Sequence, residues 1–241
     1  YSEPLPLDLN FIIFQASIKD KIKNIMAFYN WCAGRTLMMS QAHAKKICNA
    51  LALSQENSVE NKAAIALSYH CCTLLDGYWV KKDTEELSYN RVSLFQNESK
   101  NILTPISLKG KDIILNKKLK NWCDIGVDGI LAKSWVRENG RYYLYKAGDN
   151  VDNEILASNV LETLNLPHLT YEKEIDEDQL EMSKCKCFTN EDLSFIPYRT
   201  YLKGFQQNAL SFIKRDFLKE YANLAVATYL TGNEDLHDKN W

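Results

Sequence analysis

The stretch Gly129-Ile130-Leu131-Ala132-Lys133-Ser134-Trp135-Val136-Arg137-Glu138-Asn139-Gly140-Arg141-Tyr142-Tyr143-Leu144-Tyr145-Lys146 decides the fold class. Two runs rich in β-branched and aromatic residues flank Asn139-Gly140, and Asn-Gly supplies the positive φ angles of a tight hairpin turn. The expectation is an antiparallel pair with Tyr142, Leu144 and Lys146 on one face, because side chains alternate along a strand. Downstream, Asn153 to Leu164 carries Ile155, Leu156, Asn159, Val160 and Thr163 at spacings that suit one helix, which Pro167 ends. Ile113-Ile114-Leu115, Cys185 to Phe188 and Phe195-Ile196-Pro197 read as further short strands.

Outside this region the chain reads as helical. Ser40 can cap a helix carrying Ala44, Ile47 and Leu51, and Asn57 with Glu60 resembles a capping box ahead of Ala64, Leu67 and Cys71, in a helix predicted to end near Asp76-Gly77. The aromatic passage from Gly77 to Phe95 shows neither helical nor strand periodicity and reads as loop. After Gly204, Leu210, Ile213, Phe217, Leu224 and Thr228 follow the three-four spacing of a buried helical face, and Gly232 is placed to stop that helix in a left-handed cap. The expected division is a helical leader over residues 1–103, a sheet-bearing lobe over 104–200 and the start of a helical lobe over 201–241. The fold class is α+β.

The chain has 29 Lys plus Arg against 31 Asp plus Glu, a net charge of −2. That balance offers no global field for nucleic acid or an anionic membrane, and neither is expected as a partner. No apolar run approaches the ~18 residues of a membrane span, and Tyr1-Ser2-Glu3-Pro4 lacks the basic and apolar regions of a targeting signal. Seven cysteines, two of them adjacent at Cys71-Cys72, suit a reducing cytoplasm better than a disulfide framework. The lysines from Lys109 to Lys120 read as a solvated rim.

The chemistry concentrates after the last helix, in Gly232-Asn233-Glu234-Asp235-Leu236-His237-Asp238-Lys239-Asn240-Trp241. Phosphoryl transfer needs a carboxylate near the acceptor hydroxyl and a separate oxygen ligand to hold Mg²⁺ against the phosphates, and a D-x-x-x-x-N loop supplies both. Asp235 and Asn240 have that spacing. Asn240 would bind the cation without adding charge, Asp235 would take the proton, and His237 would brace the loop. Upstream, Lys146 is the candidate for the α- and β-phosphates, with Glu154 in the next helix as the carboxylate that orients it. Gly126-Val127-Asp128-Gly129 can cover phosphates with backbone N–H groups or be an ordinary β-turn, and Lys133 can assist from the neighbouring strand.

Asp128-Gly-Ile-Leu-Ala-Lys-Ser-Trp135, Tyr143-Leu-Tyr-Lys146-Ala-Gly, Asn153-Glu154 and the N-x-D-x-H-x-x-N loop ending at Asn240 together resemble the HipA-like serine/threonine kinases over about half the chain. The resemblance implies a two-lobed kinase-like fold, ATP with Mg²⁺, a base at Asp235, a metal ligand at Asn240 and a nucleotide-binding lysine at Lys146. It also implies a protein substrate with a Ser or Thr hydroxyl, and beside some such kinases an antitoxin-like protein partner. Asp76-Gly-Tyr-Trp79 and Arg91-Val-Ser-Leu-Phe-Gln-Asn97 are similar to a leader segment of some of these chains. The sequence departs from the pattern in one respect: it stops at Trp241, before the second metal-binding Asp.

Two other classes stay open. One is a pseudokinase or interaction module that binds nucleotide without turnover; the other is a metal-dependent hydrolase using Asn233, Asp235, His237 and Asp238. An EF-hand is disfavoured because Asp238 stands where the loop needs glycine. Cys185-Lys186-Cys187 reads as two cysteines bordering a core, since zinc requires a second ligand pair.

Overall fold

In the computed structural model, which describes residues 5–7, 9, 17–97, 101–113, 125–126, 129–198, 200–201, 215 and 217–233, Ser17 opens the first helix by accepting a hydrogen bond from the Asp20 amide. That helix, α1 (Ile18–Ala33), packs against α3 (Val59–Ser68) through Trp31, Cys32, Ala63 and Ala66. Ser58, one residue after the expected Asn57, caps α3 by accepting from the Asn61 amide at 3.2 Å. The helix also stops earlier than its apolar spacing predicts. His70 and Cys71 turn to φ values of 60° and 57°, and the Cys71 amide returns to the Ala66 carbonyl at 2.8 Å. Ser40 caps nothing; α2 (Ala44–Ala50) follows His43, which sits in the left-handed region.

A buried guanidinium explains the early stop. Arg35 donates from Nε to the Cys71 carbonyl at 2.7 Å and from Nη1 and Nη2 to Asp76 at 2.8 and 2.6 Å. Nη2 also reaches the Tyr78 carbonyl at 3.1 Å, and the guanidinium lies 4.4 Å from the centre of the Trp31 ring. One side chain thus ties the end of α1 to the segment that would otherwise have continued α3.

The passage from Gly77 to Phe95 is irregular apart from α4 (Tyr89–Val92). At Thr104, where the sequence predicts the onset of strands, the chain forms the short helix α5 (Thr104–Lys109). Proline lies in its first turn and Gly110 closes it at φ 61°. The helix forms because its apolar residues serve two cores at once. Ile106 packs with Leu37, Ile47 and Ile65, whereas Leu108 packs with Ala132, Tyr145, Ala147 and Met182 of the sheet.

The hairpin forms as its Asn-Gly turn predicts. β1 (Ala132–Glu138) pairs antiparallel with β2 (Arg141–Ala147), with Asn139 and Gly140 at φ 49° and 78°. α6 (Val151–Thr163) follows, then β3 (Tyr171–Ile175), a strand the sequence did not suggest, and β4 (Glu181–Lys186). The sheet order is β1-β2-β4-β3, antiparallel throughout. Phe195-Ile196-Pro197 is not a strand; the Phe195 amide instead donates to the Leu75 carbonyl at 2.7 Å. Cys185 is buried and Cys187 borders the cluster of Leu74, Trp135 and Tyr142. The last helix, α7 (Leu218–Thr231), contacts α6 and ends at Gly232, φ 62°, in the predicted left-handed cap. It begins after Phe217, which precedes the helix instead of lying on its apolar face, and residues 205–214, assigned to the same helix from sequence, lie outside the described residues. Among the described residues the architecture is seven helices with one four-stranded sheet, and no helix is long and apolar enough to cross a membrane.

The lysines expected on a solvated rim are partly engaged. Lys109 pairs with Asp176, and Lys109 and Lys111 each reach Asp178 at 2.5 Å. Hydrogen bonds from the two ammonium groups hold the Asp178 carboxyl at a pKa of about 2, below its ordinary 3.8. A carboxyl depressed on folding stabilises the native state above its unfolded pKa and loses that contribution as pH falls through the folded value. Asp178→Asn is therefore expected to flatten the acid limb of stability between about pH 4 and 2. An acid melt series of variant and parent checks it, and 1 M salt should shrink the difference because Asp178 and Lys111 are exposed. Identical acid limbs would refute it.

Candidate functional site

Strand alternation and register bring Lys133 of β1, Lys146 of β2 and Ser183 of β4 side by side on one face of the sheet. α6 lies against β3 and β4, and its first turn carries Asp152 and Glu154, carboxylates at the positive end of the helix dipole. Lys146 Nζ donates to Glu154 Oε1 at 2.5 Å. It also donates to the Tyr171 hydroxyl at 3.1 Å, and lies 4.9 Å from the centre of that ring. The second oxygen of Glu154 accepts a short hydrogen bond from Ser183, whose side chain is fully buried.

Burial works against the Lys146 ammonium, but Tyr171 and Glu154 outweigh it and leave the pKa above that of a free lysine. Burial likewise raises the Tyr171 phenol, partly opposed by Lys146. The group is thus a charged lysine held between a carboxylate and a neutral phenol, about four-fifths shielded from solvent at its side chain.

Lys133 stands directly across from Lys146 in the ladder and is buried. Two cations opposite one another repel, and Glu154 of α6 is paired with Lys146. Gly129 takes φ 112°, a conformation that favours glycine, and its backbone lies close enough to Lys133 that an added Cβ would fall 2.4 Å from Nζ and displace the ammonium. Lys133, Lys146, Glu154 and Gly129 accordingly cluster near the end of the sheet where β1 begins and β2 ends. Asp235, His237 and Asn240 lie outside the described residues, as do Val127 and Asp128 of the preceding turn.

Tyr171 and Ser183 were not singled out from the sequence. They stand 25 and 29 residues from their partners, on strands whose pairing brings them in. No motif marks them.

Beyond Lys146, the same sheet face is occupied. Leu74, Leu94 and Phe95 pack on Trp135, Tyr142 and Leu144, the Tyr142 hydroxyl donates to the Leu94 carbonyl at 2.9 Å, and Thr189 donates to the Leu74 carbonyl. A cavity of about 870 Å³ opens at the other end of the sheet, lined among others by Arg141, Tyr143, His168, Lys184 and Lys186, away from Lys133, Lys146, Glu154 and Gly129. Among the described residues no three His, Cys, Asp or Glu side chains gather as a metal site. Compared with protein-family models, curated proteins and solved structures, the chain matches none.

Proposed function

We propose that the chain is an ATP-dependent phosphotransferase of HipA-like type, acting on a Ser or Thr hydroxyl of a protein in a reducing, cytoplasmic setting. The observation that carries the reading is the bond from Lys146 on the second strand to Glu154 on the helix that follows. A lysine that engages nucleotide phosphates works only when its ammonium is held in place, and a strand-to-helix ion pair does this in protein kinases. The order strand, strand, helix, strand, strand around that pair agrees with the same reading, as does the pairing of β2 with β4 instead of β3.

In this reading the acceptor oxygen attacks the γ-phosphorus, the bond from that phosphorus to the bridging oxygen breaks, ADP leaves, and the hydroxyl proton passes to Asp235. His237 braces the loop. Lys146, with Lys133 beside it, offsets charge on the phosphates, and the Gly129 backbone lies close by. The amide oxygen of Asn240 is a neutral, hard donor of the kind Mg²⁺ accepts, and the cation supplies charge neutralisation between the phosphates.

The test is intact mass after incubation with Mg-ATP, using the chain with any coding sequence that follows Trp241 and an Asp235→Ala control. One added phosphate, absent in the control, is the expected result; no gain and no nucleotide binding would overturn the proposal. A second reading, a module that binds nucleotide without turnover, draws on the leader side chains that fill the sheet face next to Lys146. It requires nucleotide binding that survives Asp235→Ala with no phosphate gained by either chain.

A further inference from the structure

An ammonium has three N–H donors and a long flexible stem, so one carboxylate does not fix where it points. At Lys146 two of the three donors are committed, one to Glu154 at 2.5 Å and one to the Tyr171 hydroxyl at 3.1 Å. Glu154 is itself held on its second oxygen by Ser183. The backbone that carries Tyr171 is anchored to the same helix as Glu154, because its amide donates to Ser158 Oγ at 3.0 Å. Both serines are buried. A helix–sheet frame thus aims the carboxylate and the phenol at one nitrogen from two directions.

We infer that Tyr171 is a positioning residue for phosphate binding: its hydroxyl holds the Lys146 ammonium against Glu154 so that the third N–H faces an incoming anion. The inference rests on the phosphotransferase reading for the identity of that anion and on the geometry for the tether. Tyr171 itself touches no phosphate; it acts through Lys146. Neither local spacing nor the Lys-Glu pair calls for a phenol at this position, and an ordinary strand-to-helix ion pair forms without one.

Tyr171→Phe isolates the hydroxyl, because the ring beneath the ammonium remains. Two quantities are to be measured on the full chain and on this variant: the pH dependence of Lys146 acetylation by acetic anhydride, read by peptide mass spectrometry, and the dissociation constant of Mg-ATP by calorimetry. A hydrogen bond to the charged form of a lysine favours that form. Its loss is expected to move the acetylation curve to lower pH, with Lys146 modified about tenfold faster at fixed alkaline pH, and to weaken Mg-ATP binding by about tenfold at an unchanged melting temperature. Combined with Lys146→Met, Tyr171→Phe should add no further loss of affinity, since it acts only through the ammonium.

An acetylation curve that superimposes on that of the parent overturns the positioning role alone. Failure of the unaltered chain to bind Mg-ATP overturns the phosphate-binding role of Lys146 and the inference with it. Should the phenylalanine variant not melt cooperatively, 4-fluorophenylalanine at position 171 keeps the ring and replaces the hydroxyl by a poor acceptor that does not ionise; the curve should move the same way, and an unmoved curve again overturns the role.

Discussion

Asp76→Ala is expected to destabilise the protein by about 3 to 5 kcal/mol, the cost of leaving one member of a buried ion pair without its partner. Arg35 and Asp76 retain side-chain exposures of 9% and 15%, and their bond is bidentate. Removing the carboxylate takes an acceptor from both Nη1 and Nη2, of which Nη2 keeps Thr73 and the Tyr78 carbonyl. It also frees the Tyr78 amide, which donates to Asp76 Oδ1 at 2.9 Å. At this chain length the loss corresponds to a melting temperature lower by about 6 to 20 °C, read by calorimetry. The double variant Arg35→Leu with Asp76→Ala should lose less than the sum of the two single losses, because neither charge is then stranded. Additive losses, or a single-variant shift below about 1 kcal/mol, would contradict a buried pair.

The second large effect belongs to Leu74→Ala, expected to cost about 2 to 5 kcal/mol in chemical denaturation. Leu74 is fully buried between the irregular passage and the sheet, against Trp135 and Tyr142. Truncation leaves a cavity that those rigid rings fill poorly, so the transfer term and the cavity term add. Leu156→Ala supplies the comparison: that side chain is 63% exposed, and its loss should stay within about 0.5 kcal/mol. Equal costs at the two positions would mean that Leu74 does not join the leader to the sheet.

What the sequence made legible were features whose cause is local. Asn139-Gly140 forces its turn from two residues, Gly232 stops its helix by lacking a Cβ, and the spacing from Asn153 to Leu164 marks α6, which begins two residues earlier and ends one earlier. The approach of Glu154 to Lys146 was legible for a similar reason, since a strand end and the first turn of the next helix stay close in space. Features with a distant cause were misread. The apolar spacing of α3 continues to Cys71, and nothing nearby reveals that Arg35, 36 residues earlier, takes the Cys71 carbonyl. Ile106 and Leu108 suit a strand or a helix equally, and two separate cores decide the matter. β3 carries Glu172, Lys173 and Glu174 in its five residues, a composition that hides a strand paired on one side only. The roles proposed for Asp235 and Asn240 rest on their spacing alone, since both lie outside the described residues.

The bond from Thr189 to the Leu74 carbonyl spans 115 residues, and the Phe195 amide closes onto Leu75 beside it. Such pairings set the pace of folding, because the entropy of closing a long loop is lost before the contact forms. The helices of the leader can form early, but the pairing of Thr189 with Leu74 and of Phe195 with Leu75 waits until the chain beyond β4 has returned. Refolding is expected to run on a timescale of about milliseconds to seconds. During synthesis, residues 73–95 leave the ribosome well before the strands they will cover, so this chain acquires its sheet late and must keep the apolar side chains that await it from finding other partners first.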